Sequence, residues 1–187
     1  MKHKDEIEDA LIRKYKFSII GFTETHVTRQ VETHELQIRN YECVRCDSET
    51  SRTGGVLLYI DKRIKFDIVS LESCERSWWY ITVKIKGKNF KGIIMVIYRS
   101  PNSSECKFID FLEEMCVDEA LNDNVIIMGD FNIDMKVNSY IQGKLTRVMN
   151  SVGLKQMVND PTRIVPTSAT IIDLVFFKYE FSNGNMA

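Results

Sequence analysis

The sequence predicts a mixed α/β sandwich, on three observations. Short runs of apolar and β-branched residues, bounded by Gly, Asn and Asp, read as strands. Gly87 and Asn89 stand where a hairpin-like turn joins two of them. Two stretches with a 3.6-residue apolar period lie between other strands, as helices do when they pack outside a sheet. At 187 residues the chain has the length of about one domain, expected over 1–187. A domain of that size buries roughly 70% of its unfolded surface.

The elements follow in order. Residues 5–15 read as a helix with Ile7, Ala10, Leu11 and Tyr15 on one face. Residues 17–22 form a buried strand, and Gly54-Gly55 introduces another over 56–60. Trp79, Ile81, Val83 and Ile85 alternate with Tyr80, Thr82, Lys84 and Lys86, the pattern of a half-buried strand. A further strand runs from Ile93 to Tyr98. Ser103 or Ser104 caps a helix with Phe108, Phe111, Leu112, Met115 and Cys116 on one stripe. A last helix turns Ile141, Leu145, Val148, Met149 and Val152 inward and stops at Gly153.

Residues 125–132, Val-Ile-Ile-Met-Gly-Asp-Phe-Asn, carry the most chemistry. Four apolar residues make a strand buried on both faces, and Gly129 is expected to let the chain turn. Asp130 and Asn132 follow at the strand's C-terminal edge, where open α/β folds bind ligands. Two residues apart on extended chain, their side chains face one spot. The carboxylate accepts a proton from water and the amide donates to an anionic oxygen, a pairing suited to hydrolysis at phosphorus. Ordinary strand-to-turn transitions use the same residue types.

Three further segments accompany this one. Phe17 to His26 reads Phe-Ser-Ile-Ile-Gly-Phe-Thr-Glu-Thr-His; Ile97 to Asn102 reads Ile-Tyr-Arg-Ser-Pro-Asn; Thr167 to Phe176 contains Ser168 and Ile172-Asp173. With Gly129-Asp130-Phe131-Asn132, these resemble, in order and interval, the motifs of the endonuclease/exonuclease/phosphatase superfamily of divalent-metal phosphoesterases. Their wording is most similar to the endonuclease domain of non-LTR (LINE-type) retrotransposons. The resemblance implies two packed mixed β-sheets flanked by helices, a DNase I-like four-layer sandwich with the site at one end. It also implies that the family's first and last strands, with their asparagine and histidine, are absent here, so that an endonuclease would be impaired.

The same resemblance assigns roles. Glu24 becomes the ligand of Mg²⁺, with Mn²⁺ a substitute; a hard cation takes few carboxylates and keeps its waters. Asp130, Asn132, Tyr98 and Asp173 become catalytic, Asp173 as the acid that orients the family's histidine. Arg99, Thr162 and Ser168 are expected at the substrate, although a neighbouring carboxylate suits Arg99 equally and turns suit the hydroxyls. DNA is the implied partner, together with a reverse transcriptase in a longer parent chain. A non-catalytic binding protein and a phosphoesterase for small molecules or lipids are the alternatives.

Composition bounds these readings. Apolar residues make up 44% and charged residues 27% of the chain, ordinary for a globular protein. The charged start lacks an apolar signal region, and no apolar run is long enough for a membrane span, so a nuclear or cytoplasmic location is expected. Five cysteines, an odd number, favour a reducing compartment. Cys43 and Cys46 have zinc-like spacing without a second pair. The net charge of −1 argues mildly against nucleic acid, although Lys84, Lys86, Lys88 and Lys91 cluster.

Overall fold

Every residue of Val56–Asp61 is buried, which a strand sustains only at the centre of a sheet covered on both faces. In the computed structural model, which describes residues 15–74, 76–88, 90–119 and 124–178, this strand is β3. It is flanked by β1 (Ile19–Thr23) and β2 (Tyr41–Cys46), both antiparallel to it, in the order β1-β3-β2. The second sheet has six strands. Along the chain they are β4 (Phe66–Cys74), β5 (Trp78–Lys86), β6 (Lys91–Arg99), β7 (Asn124–Asp130), β8 (Lys155–Gln156) and, last, β11 (Asp173–Lys178). In space their order is β4-β5-β6-β7-β11-β8, with β6 and β7 parallel and the other neighbours antiparallel. A small hairpin of β9 (Arg163–Val165) and β10 (Ser168–Thr170) precedes β11.

Alternation along the strands builds three apolar layers. Trp79, Ile81, Val83 and Ile85 of β5 meet Val56, Leu58 and Ile60 of β3 between the sheets. The opposite face of the large sheet carries Trp78, Tyr80, Met95 and Ile127 under helix α2 (Glu105–Glu119) and helix α3 (Tyr140–Ser151). Leu57 and Tyr59 face outward from the small sheet onto Leu36 of the short helix α1 (Thr33–Leu36), with Ile38 and Val27. This is the DNase I-like α/β architecture of two packed sheets with helices outside.

Several expectations change. β5 is buried along most of its length rather than half-buried, because α2 covers its Trp78–Tyr80 end; Trp78 and Trp79 are both core residues. β2 and β4 carry no clear period and emerge only from pairing. Cys43 and Cys46, three apart on a strand, fall in different layers and cannot share a zinc ion. The cap of α2 is Ser104, whose Oγ accepts from the Lys107 N–H at 3.4 Å. The helix expected over 5–15 lies outside the described residues except at Tyr15, which stands in a turn. Among the described residues no helix is long and apolar enough to cross a membrane.

Gly129 does not turn the chain. It stays in β7 at φ +146°, and a Cβ there would stand 1.8 Å from the Ile97 carbonyl oxygen on β6. Glycine is required for close approach of the two strands. The turn comes three residues later, at Asn132, with φ +50°.

Candidate active site

Strand order places the polar ends together. β6 runs parallel to β7 with Tyr98 opposite Asp130, and β11 runs antiparallel to β7 with Asp173 opposite the same residue. Directly opposed residues share a face, here the one turned toward the small sheet, where Tyr98 also packs. Three polar side chains therefore stand side by side on adjacent strands about 4.8 Å apart. The fourth comes from the small sheet. Glu24, just past β1, accepts a hydrogen bond from the Tyr98 hydroxyl to its Oε1 at 2.7 Å.

Glu24 is held in an uncommon backbone state, with φ +53°, and His26 follows at φ +54°. For residues other than glycine such values persist only where surroundings enforce them. Gly54 and Gly55 supply the enforcement. Their carbonyls accept from the His26 N–H at 2.9 Å and the Thr25 N–H at 3.2 Å. Both glycines have positive φ, and a Cβ at Gly54 would lie 2.3 Å from the Trp79 ring. In the sequence the Gly-Gly pair marks only the start of a strand; its adjacency to a second positive-φ corner is a tertiary fact. The Thr25 hydroxyl beside Gly55 is buried without a hydrogen-bond partner among the described residues.

The field at this corner is negative. Burial pushes the Asp130 carboxyl up to about 6, and the carboxylates of Asp173 and Glu24 push in the same direction. The Asn132 N–H, donating to Asp130 Oδ1 at 2.9 Å, and the more distant Arg163 pull the other way and lose. Burial also raises the Tyr98 phenol, and its bond to Glu24 adds to this, so it stays a protonated donor. Arg163, on the hairpin before β11, was not singled out from the sequence and no local pattern marks it.

Two expected site residues serve the scaffold instead. Arg99 is only 1% exposed. Its Nε donates to the Phe131 carbonyl at 2.7 Å, Nη1 to the Ser103 carbonyl at 2.8 Å and Nη2 to the Asn132 carbonyl at 2.8 Å. Glu105 stands 3.7 Å from Nη2. The guanidinium is thus occupied within the fold and is not presented to a phosphate. Thr162 Oγ1 accepts from the N–H groups of Ile172 and Asp173 at 3.2 and 3.1 Å, holding the start of β11.

The others are placed as follows. Asn132 is intermediate: one amide hydrogen goes to the Arg99 carbonyl at 2.8 Å, which leaves the second for a ligand. Asp173, the acid that the resemblance assigns to orienting a histidine, is exposed at the head of β11. Ser168 is exposed toward the tip of the β9–β10 hairpin, two residues farther out than Thr170. The Lys86, Lys88 and Lys91 cluster lies at the opposite end of the large sheet, roughly 23 Å from Tyr98 along β6.

Among the described residues, no group of three or more His, Cys, Asp and Glu side chains closes into a ready metal cage. The donor chemistry nevertheless fits a hard divalent cation. Mg²⁺ needs only one or two carboxylates and retains water, and the carboxylates that face one another here are under-compensated. Glu24 is the residue positioned to hold it, with Tyr98 fixing one of its oxygens.

A family model described as "Endonuclease-reverse transcriptase" matches residues 92–185, half of the chain. No curated protein is significantly similar in sequence. Solved structures are similar in fold at low identity. The endonuclease domain of TRAS1, a telomere-specific non-LTR retrotransposon, superimposes with a TM-score of 0.67 at 13% identity, over 95% of this chain and 80% of that one. The 3′ phosphatase NExo from Neisseria, bound to a product DNA hairpin, gives 0.64 at 13% identity, over 94% and 81%. The human Nocturnin catalytic domain, with bound sulfate, gives 0.62 at 13% identity, over 95% and 74%.

Proposed function

The chain belongs to the endonuclease–reverse transcriptase family of the endonuclease/exonuclease/phosphatase superfamily, and from that premise we infer that it is a divalent-metal-dependent DNA endonuclease of the non-LTR retrotransposon type. The single observation that carries this reading is the continuous array Glu24–Tyr98–Asp130–Asp173, drawn from four segments at one end of the sandwich. Its natural partner is a reverse transcriptase carried in a longer parent polypeptide.

The chemistry follows from the residues. Asp130, with its carboxyl at about 6, is ionised at neutral pH yet basic enough to accept a proton from water. The water oxygen forms a bond to phosphorus as the bond to the leaving oxygen breaks. The free amide hydrogen of Asn132 donates to one of the phosphate oxygens that gain charge, while the Tyr98 phenol keeps its single hydrogen on Glu24 and holds that carboxylate in place. Bound at Glu24, Mg²⁺ or Mn²⁺ supplies charge neutralisation for those oxygens. Burial and the Asp173 carboxylate keep Asp130 basic once a cation neutralises Glu24.

The test is nicking of supercoiled plasmid in Mg²⁺, in EDTA, and by a Glu24→Ala chain, with Mg²⁺ binding followed by calorimetry. Nicking that requires Mg²⁺, and weak Mg²⁺ binding that Glu24→Ala removes, are the expected results. No nicking in Mg²⁺, or nicking that survives EDTA, contradicts the reading.

A further inference from the structure

A polar groove of about 650 Å³ opens beside the Glu24 corner, between the loop at 28–30, the loop at 47–51 and Ser73 at the end of β4. Every residue that lines it is polar or charged, so it is a wet recess and not a gap in the core. The groove and the corner form one body. The Ser48 N–H donates to the Val27 carbonyl at 2.7 Å, and the single hydrogen of the Ser48 hydroxyl is within reach of the carbonyls of Thr50 (2.6 Å) and Thr53. Thr53 in turn stands beside the Tyr98 phenol.

The charges sort unequally. Asp47 is bound by Arg45 through both oxygens, at 2.7 and 3.0 Å, and Glu49 by Arg76 at 2.9 Å. Both acids are therefore compensated within the fold. Arg29, which lines the groove, and Arg52, next along from Ser51, are exposed. Neither side chain has a hydrogen bond or ion pair among the described residues. The uncompensated charges are Arg29 in the groove and Arg52 beside its Ser51 wall, and a planar guanidinium fits a phosphate with two parallel hydrogen bonds. Hydroxyls of Thr28, Ser51 and Ser73 add neutral donors of the kind that position a nucleic-acid backbone.

We propose that this groove is a phosphate track for duplex DNA, in which Arg29 and Arg52 grip backbone phosphates flanking the bond held at the Glu24–Asp130 corner. The assignment rests on reading that corner as the cleavage site. It explains how a chain of net charge −1 engages a polyanion: its acids are internally paired at the groove while, among the described residues, the side chains of Arg29 and Arg52 have no partner. Arg29 and Arg52 are positioning residues, since neither belongs to the reacting corner.

The experiment compares the wild-type chain, Arg29→Ala/Arg52→Ala, and Lys88→Ala/Lys91→Ala as an equal charge change at the far end of the sheet. Duplex binding is read by fluorescence anisotropy between about 50 and 200 mM salt. Hydrolysis of bis(p-nitrophenyl) phosphate, too small to span corner and groove, is read alongside plasmid nicking. Loss of the two arginines should weaken duplex binding by about tenfold or more and flatten log K against log salt by about 2. Plasmid KM should rise with kcat and small-diester hydrolysis unchanged. The lysine pair should leave the salt slope as it was. An unchanged slope in the arginine variant, an equal change in the lysine variant, or no duplex binding by the wild type overturns the proposal. Duplex binding with the expected slope change but no cleavage by the wild type supports the groove and removes the endonuclease reading alone.

Discussion

The Asp130 carboxylate occupies an unfavourable place for a charge: burial, Asp173 and Glu24 together hold it at about 6 instead of 3.8. A folded-state value above the unfolded one means that the folded chain binds the proton more tightly, so stability falls as pH rises through the interval from 3.8 to about 6. Below that window the group is protonated in both states and has no net effect. Above it, the displacement corresponds to roughly 3 kcal/mol against folding. In EDTA, Asp130→Asn should therefore raise urea-unfolding stability at pH 7.5 by up to about 3 kcal/mol, with the gain shrinking toward pH 4. A variant less stable than wild type at pH 7.5 contradicts this. The segments around Glu24, Tyr98, Asp130 and Asp173 were legible in the sequence because each couples a polar residue to the end of an apolar strand. The fate of Arg99 was not. Whether a guanidinium meets a phosphate or a set of carbonyls depends on where residues 103, 131 and 132 bring their oxygens, and no local pattern encodes that.

Elements with a strong period were the ones read from sequence: β3, β5, β6, β7, α2 and α3 all lie where apolar spacing placed them. β4 was missed because it is an edge strand on which Ile68, Val69 and Leu71 are exposed, so burial imposes no alternation. β2 was missed because its two cysteines alternate into different layers, which masks the apolar pattern. Glycine separates the elements that tolerate change from those that do not. Gly129→Ala forces a Cβ against the Ile97 carbonyl at 1.8 Å, with φ +146° to sustain as well. It should part β6 from β7 and leave no cooperative melt. Gly143→Ala on α3 meets nothing within 4 Å and should stabilise by about 0.5–1 kcal/mol. Thermal unfolding of the two variants checks both; a folded Gly129→Ala chain would show that the approach of the strands is not required.

Across the whole molecule, the corner is a product of strand order. Glu24 and Asp173 lie at opposite ends of the described chain, yet β6, β7 and β11 are neighbours in one sheet and β1 packs across β6 and β7. Order of motifs was visible in sequence; the adjacency that turns four motifs into one site was supplied by the fold. The groove at Arg29, with Arg52 beside it, was invisible there, because what distinguishes those arginines is that Arg45 and Arg76 have partners and, among the described residues, their side chains have none. The central claim is that Asp130 accepts the proton from the attacking water. The most direct measurement is the single-turnover rate of supercoiled-plasmid nicking in saturating Mg²⁺ by wild type and by the isosteric Asp130→Asn chain, across pH 5 to 8. Wild-type rates should climb with pH to a plateau whose midpoint lies below the metal-free value of about 6, because a cation at Glu24 lowers it, and Asp130→Asn should be slower by about 10² to 10⁴ with no such rise. Equal rates, or a wild-type rate that falls as pH increases through 6, would contradict the account.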